Sequence, residues 1–215
     1  MTLYAATKNA GKLKEFAECA RGAGIEVLAL PGLPDMPEPL EDAASFMGNA
    51  ELKAVAYSRL TLTSGRRGLL VFADDSGLEI DALGGQPGVR SARFADDVDF
   101  EPGQGSRDDR NNRLVLSLLQ QTPETREGRS TRAARFVCAL ALARDGAIIL
   151  RAEGEVEGQI RPAPRGKDGF GYDPLFLVPA LGRTMAELSP DEKWALSHRG
   201  NAFRELLRQL ANSHK

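Results

Sequence analysis

The sequence predicts an α/β fold, and three stretches predict it. The chain opens strand–helix–strand: residues 2–6 alternate, Leu13, Phe16, Ala17 and Ala20 recur at helical spacing, and Ile25 to Leu30 form a second strand. A second helical face, Phe46, Ala50, Ala54 and Tyr57, leads into a buried-strand run from Gly68 to Ala73. Later, Ala134–Ala143 and Ala147–Ala152 read as the arms of a β-hairpin joined at Arg144-Asp145-Gly146.

The remaining elements follow in order. Arg21-Gly22 stops the first helix, and Pro31 to Pro39 is an irregular surface connection. Asp74-Asp75-Ser76-Gly77 forms the tail of the strand that ends at Ala73. Residues 95–112 are polar and rich in Gly, Asp and Arg; they read as a mobile loop before a helix through Leu114–Leu119. The Gly-rich run Gly166 to Asp173 precedes a strand at Leu175–Val178. Ser189-Pro190-Asp191-Glu192 is a capping box with proline at the first helical position. Ser197-His198-Arg199 opens the last helix, whose inner face is Phe203, Leu206, Leu207 and Leu210. With no repeat and no long linker, residues 1–215 read as a single domain.

Composition narrows the function. The 215 residues are 42% hydrophobic and 27% charged, as in ordinary soluble globular proteins. No apolar run approaches the roughly 20 residues that cross a bilayer. Met1 to Ala6 lacks the basic flank of a signal peptide and reads as a first strand. Cys19 and Cys138 are the only cysteines, each inside an apolar segment; buried free thiols and a reducing cytoplasm fit them. Two histidines exclude a His-rich metal site. A net charge of −2 argues against nucleic acid held by bulk electrostatics and leaves room for a small anion at a local basic cluster.

Four constellations could carry chemistry. Thr7-Lys8-Asn9-Ala10-Gly11-Lys12 lies between a strand and a helix, where free backbone N–H groups and the positive helix end converge. That suits phosphate, although from this segment alone a plain Asn N-cap with solvated lysines is the stronger reading. Asp74 and Asp75 point in different directions at a strand end, so one can hold Mg²⁺ while the other contacts water; an ordinary polar turn is the alternative. In Gly169-Phe170-Gly171-Tyr172-Asp173-Pro174 the aromatics could flank a planar base, or could simply be core residues beside a glycine turn. Lys193 and Ser197-His198-Arg199 put cations at a helix N-terminus, against the dipole, which an anionic or carbonyl-bearing ligand or a solvated cap would each resolve. Asn49 and Lys53 share a helix face with Phe46 and Ala50, directing a charge inward. Trp194 reads as packing.

Together these segments resemble the inosine triphosphate pyrophosphatase family (dITP/XTP pyrophosphatases) over nearly the whole chain. The resemblance is carried by Thr7–Lys12 with Glu15, Ser45-Phe46-Met47-Gly48-Asn49-Ala50 with Lys53-Ala54, and Ala73-Asp74-Asp75-Ser76-Gly77-Leu78. It continues through Gly84-Gly85-Gln86-Pro87-Gly88, Ser91-Ala92-Arg93-Phe94, Gly169–Pro174 and Ser197-His198-Arg199-Gly200. Each segment is weak alone, but together, in this order, they are specific.

The resemblance implies an elongated mixed central sheet with flanking helices, two lobes around a substrate cleft, and a homodimer. It implies hydrolysis of ITP, dITP or XTP to monophosphate and pyrophosphate with Mg²⁺. Thr7, Lys8, Asn9, Ala10, Gly11, Lys12 and Lys53 would hold the triphosphate. Asp75 would be the proton acceptor and a metal ligand, Glu41 a second acidic metal position, and Ser76 a substrate contact. Phe170, Gly171, Tyr172, Asp173, Lys193, His198 and Arg199 would read the base, whose 6-oxo group suits donors. The chain departs from the family pattern at Ala43, at Gly48 and in the longer stretch Asp97–Gly105. A pyrophosphatase for other nucleotides and a non-catalytic nucleotide-binding regulator are the competing readings.

Overall fold

The computed structural model describes residues 1–100, 104–123, 125–126, 129–130 and 132–212. Thr2–Ala5 forms β1, with Leu3 and Ala5 turned inward. Asn9 then caps α1 (Ala10–Gly22) by accepting the Lys12 N–H at 3.1 Å. The chain returns as β2 (Glu26–Ala29), parallel to β1. Next comes α2 (Phe46–Thr63), capped by the Ser45 hydroxyl, which accepts the Gly48 N–H at 3.1 Å. It leads to β3 (Val71–Ile80), parallel to β1 on its other side. The chain thus leaves β1 in both directions, and in α/β sheets the carboxyl ends of strands at such a point accept ligands.

The chain continues with α3 (Arg107–Gln120), the short pair β4 (Thr125–Arg126) and β5 (Arg129–Ser130), and the long strands β6 (Ala133–Arg144) and β7 (Ala147–Ile160). It closes with β8 (Phe176–Val178), β9 (Arg183–Thr184), α4 (Pro190–Leu196) and α5 (His198–Asn212). Among the described residues the main sheet has seven strands in the order β2-β1-β3-β6-β7-β8-β9. It is mixed, since β8 is antiparallel to both β7 and β9.

By internal contacts the chain forms two compact units. The first is Met1–Asp75, Cys138–Gly154 and Ser197–Lys215. Its core centres on Phe16, Phe72 and Phe203, with ring centroids 5.1–5.6 Å apart. The second is Ser76–Val137 and Glu155–Leu196, with a core of Leu78, Ile80, Val115, Leu175 and stacked Phe136 and Phe176. The α/β class is as the sequence predicts.

Three boundaries differ from expectation. The strand expected to end at Ala73 runs on to Ile80, because each carboxylate finds a partner on its own face and Leu78 and Ile80 are buried beyond them. The helix expected from Leu114 begins at Arg107, where Ser106 and Asp109 form a reciprocal capping box; Asp96–Val98 is a single 3₁₀ turn. Residues 101–103 of the expected mobile loop lie outside the described residues. The second hairpin arm extends from Ala152 to Ile160, its Glu153, Glu155 and Glu157 falling on alternate positions of a strand. Cys138 is buried as expected, whereas Cys19 is half-buried.

One glycine is fixed by close approach. A Cβ on Gly154 of β7 would lie 2.2 Å from the Ala202 nitrogen and 2.5 Å from the His198 carbonyl oxygen. Without a side chain there, the first turn of α5 can lie against the strand. Gly154→Ala is therefore expected to cost about 1–3 kcal/mol of overpacking, lowering Tm by about 5 °C. An unchanged melting temperature in calorimetry would show that the helix start moves freely.

Candidate active site

In the first unit the charged residues flagged in the sequence converge in two linked groups. The first gathers on Asp74, which is buried on β3. Lys12, in the first turn of α1, donates to Asp74 Oδ2 at 2.6 Å. Burial alone would raise the Asp74 pKa; the fields of Lys12, Arg199 and Lys53 outweigh it and hold the carboxyl at about 2. Arg199, from the start of α5, lies 3.8 Å from Glu15 of α1. Lys8 turns elsewhere and pairs with exposed Glu38 at 2.9 Å. In the turn itself, Thr7 Oγ1 accepts the Asn9 N–H at 3.2 Å.

The second group gathers on Asp75, on the opposite face of the strand. Asn49 Nδ2 donates to its Oδ2 at 3.1 Å, and Lys53 Nζ donates to its Oδ1 at 3.1 Å. These two residues are four apart on α2, so one helix face holds both carboxylate oxygens. Asn49 is buried, and its Oδ1 accepts the Ala43 N–H at 3.0 Å. Lys53 also reaches Glu41 Oε2 at 3.0 Å. Burial raises the Asp75 pKa, and the opposing pull of Lys53 and Asn49 does not cancel it. Burial lowers that of Lys53, but Asp75, Asp74 and Glu41 together raise it, so the ammonium stays charged.

Two adjacent carboxyls with proton affinities pushed in opposite directions are a mark of divided acid–base roles. Asp74 is a fixed anion, and Asp75 is the better proton acceptor. The residues also fit a hard cation: Glu41 and Asp75 already converge on a single positive charge, that of Lys53. Among the described residues no group of three His, Cys, Asp or Glu side chains could hold a metal. A Mg²⁺ ion here would keep water and substrate oxygens in its shell, as Mg²⁺ commonly does.

His198 and Arg199 belong to the same unit and are 4% and 6% exposed. They are not the solvated cap that the sequence left open. Ser197 caps the helix, its hydroxyl accepting the Gly200 N–H at 3.1 Å.

In the second unit the loop Phe170–Asp173 is tightly held. Asp173 Oδ2 accepts the Phe170 N–H at 2.9 Å and the Lys193 ammonium at 2.6 Å. The same ammonium lies 5.2 Å from the Phe170 ring centroid, a cation–π contact. Tyr172 packs in the core, and its hydroxyl donates to the Ser91 carbonyl at 2.9 Å; burial pushes its pKa up. The Phe170 ring is half-buried. Ser76, next to Asp75 on β3, is half-buried and begins this unit.

The sequence missed several partners. The sequence pattern puts Asn49 on the inward face of its helix and gives it no role, though its i,i+4 relation to Lys53 is visible there. Asp108 and Asn112 were hidden in a stretch read as loop.

Comparison with known proteins finds relatives over nearly the full length of the chain. The model of the Ham1 family matches residues 3–209. A dITP/XTP pyrophosphatase of Acidobacterium capsulatum is 50% identical over 211 residues, covering 98% of both chains. One from Geobacillus kaustophilus is 46% identical, covering 94% of this chain and 90% of its own. Among solved structures, a HAM1 protein from Coxiella burnetii superposes with a TM-score of 0.81 at 37% identity, covering 99% of each chain. The Staphylococcus aureus Ham1 protein gives 0.78 at 33% identity, covering 99% of this chain and 100% of its own. By motif order, fold and full-length similarity, this chain belongs to the Ham1 family.

Proposed function

We propose that this chain is a nucleoside triphosphate pyrophosphatase that cleaves non-standard purine nucleotides, ITP, dITP and XTP, to monophosphate and pyrophosphate. Its role would be to clear them from the nucleotide pool. The observation that carries the reading is Asp75, a half-buried carboxylate of raised proton affinity held on both oxygens by Lys53 and Asn49. Its near relatives carry the name dITP/XTP pyrophosphatase.

In this reading Asp75 takes a proton from water as the water oxygen bonds to the α-phosphorus. The bond from that phosphorus to the bridging oxygen breaks, and pyrophosphate leaves. Lys12 and Lys53 offset the charge of the polyphosphate, and the Thr7–Lys12 turn presents backbone N–H groups to it. Asn49 and Lys53 keep the Asp75 carboxylate from rotating. Asp75 and Glu41 would hold Mg²⁺, which when bound would supply further charge neutralisation on the phosphate oxygens. Phe170 would lie against the purine, with Lys193, His198 and Arg199 supplying donors that match a 6-oxo group and leave a 6-amino group unpaired. Ser76 is assigned to substrate contact alongside them.

The test is pyrophosphate release with Mg²⁺ across ITP, dITP, XTP, ATP and GTP. ITP and XTP should exceed ATP in kcat/KM by on the order of a hundredfold, as two unpaired groups in the wrong complex would give. Removing Mg²⁺ with chelator should abolish release. Comparable rates for all five nucleotides would overturn the substrate assignment.

A homodimer belongs to the same proposal, on the family likeness. Light scattering near the 23.2 kDa of one chain would overturn it. We assign the protein to the cytoplasm on Cys19 and Cys138, which are not joined by a disulfide; among the described residues no helix is long and apolar enough to cross a membrane.

A further inference from the structure

The loop Phe170–Asp173 is gripped from outside by α3. Asp108 Oδ2 accepts the Gly171 N–H at 2.7 Å, and Asn112 Nδ2 donates to the Gly171 carbonyl at 2.9 Å. Asp108 and Asn112 are four residues apart, so they project from one face of the helix, one turn apart. They therefore take both backbone groups of a single residue, one whose φ is +62°. The helix itself is anchored beside the loop. Asn111, 2% exposed, accepts the Ala95 N–H at 2.8 Å and donates to the Ser91 carbonyl, the same carbonyl that receives the Tyr172 hydroxyl.

We infer that Asp108 and Asn112 are specificity-determining positioning residues, which fix the Gly171 backbone and so set the pose in which Phe170 meets the base. The inference rests on the proposed base-reading role of this loop. Its physical content is preorganisation: with Gly171 held at its N–H and its carbonyl, and Phe170 held through Asp173, the loop cannot re-form around an adenine. Neither residue touches the base. The Gly171 and Phe170 N–H groups, already engaged by carboxylates, are not the donors that read it.

The experiment measures kcat and KM for ITP and ATP in the wild type and in Asp108→Ala, Asn112→Asp, Asp108→Asn and Phe170→Ala. Asp108→Ala removes one grip, and Asn112→Asp sets a carboxylate against the Gly171 carbonyl. Each should lower the ITP-to-ATP ratio of kcat/KM about tenfold, mostly through KM for ITP, the scale of one lost hydrogen bond. Inhibition by inorganic pyrophosphate, which has no base, should stay at the wild-type value. Asp108→Asn keeps a neutral acceptor and should restore most of the ratio. A merely destabilised enzyme would lose activity toward both substrates alike. If Asp108→Ala does not fold, Asn112→Asp and Asn112→Ala carry the same comparison. An unchanged ratio in the α3 variants, with a collapsed ratio in Phe170→Ala, would overturn the clamp while leaving the base-reading role intact. An unchanged ratio in Phe170→Ala as well would overturn both.

Discussion

Asp75→Asn is expected to lower kcat by about a thousandfold or more, while leaving the protein folded and able to bind ITP. A positioned general base is commonly worth 10²–10⁴ in rate, and the amide neither accepts the proton nor carries charge for a cation. The fold should survive because asparagine has nearly the same shape, and its carbonyl oxygen can still accept the Asn49 hydrogen bond. Stability should hold or rise. Burial raises the Asp75 pKa, so its ionised form at neutral pH is less favourable in the folded chain than in the unfolded one. The Asn variant removes that cost, the usual relation between a catalytic carboxylate and the fold that holds it. In the absence of Mg²⁺, binding of ITP should be equal or tighter, since a negative charge near the triphosphate is gone. Single-turnover kinetics and a thermal melt decide the matter. A kcat within about tenfold of wild type would remove Asp75 from the base role.

How far the sequence carried this reading depended on what kind of signal each residue left. Strongly periodic or capped segments were legible: α1 with its Asn9 cap, α2 behind Ser45, α4 behind its Ser189–Glu192 box, and the Asp145-Gly146 hairpin. Elements whose inward face is short or polar were not. The first turn of α3 is Arg107, Asp108 and Asp109 with no apolar residue, so only the Ser106–Asp109 box could have announced it. Asp74-Asp75-Ser76-Gly77 has turn composition, yet β3 runs through it, because charges distant in sequence neutralise each carboxylate on its own side. Those pairings join positions 12 and 74, 49 and 75, and 53 and 75. Nothing local encodes them. They were approached only through the order of motifs, and the geometry then gave the two aspartates different electrostatic characters.

The pairing of Lys12 with Asp74 leads to a second large effect, in which stability and function can be separated. Asp74 is buried and lies 2.6 Å from the Lys12 ammonium. Lys12→Met would remove the ammonium that pairs with that carboxylate and contributes, with the fields of Arg199 and Lys53, to holding it ionised. Breaking a buried pair commonly costs 3–5 kcal/mol; with Lys12 about one-fifth exposed, about 2–3 kcal/mol is expected here. For a chain of this length that lowers Tm by roughly 5–10 °C. The same change should raise KM for ITP by about ten- to a hundredfold, the scale of one charge-assisted hydrogen bond, with much less effect on IMP, which lacks the outer phosphates. The double variant Lys12→Met/Asp74→Asn tests the cause. Neutralising both partners should recover most of the melting temperature, because an uncharged pair leaves no buried ion uncompensated. It should not recover KM, because the charge that faces the triphosphate is still missing. If stability fails to return, the ion pair is not what Lys12 contributes to the fold. If KM returns along with stability, Lys12 serves the fold alone, and the phosphate-binding role passes to Lys53 and the backbone of the Thr7–Lys12 turn.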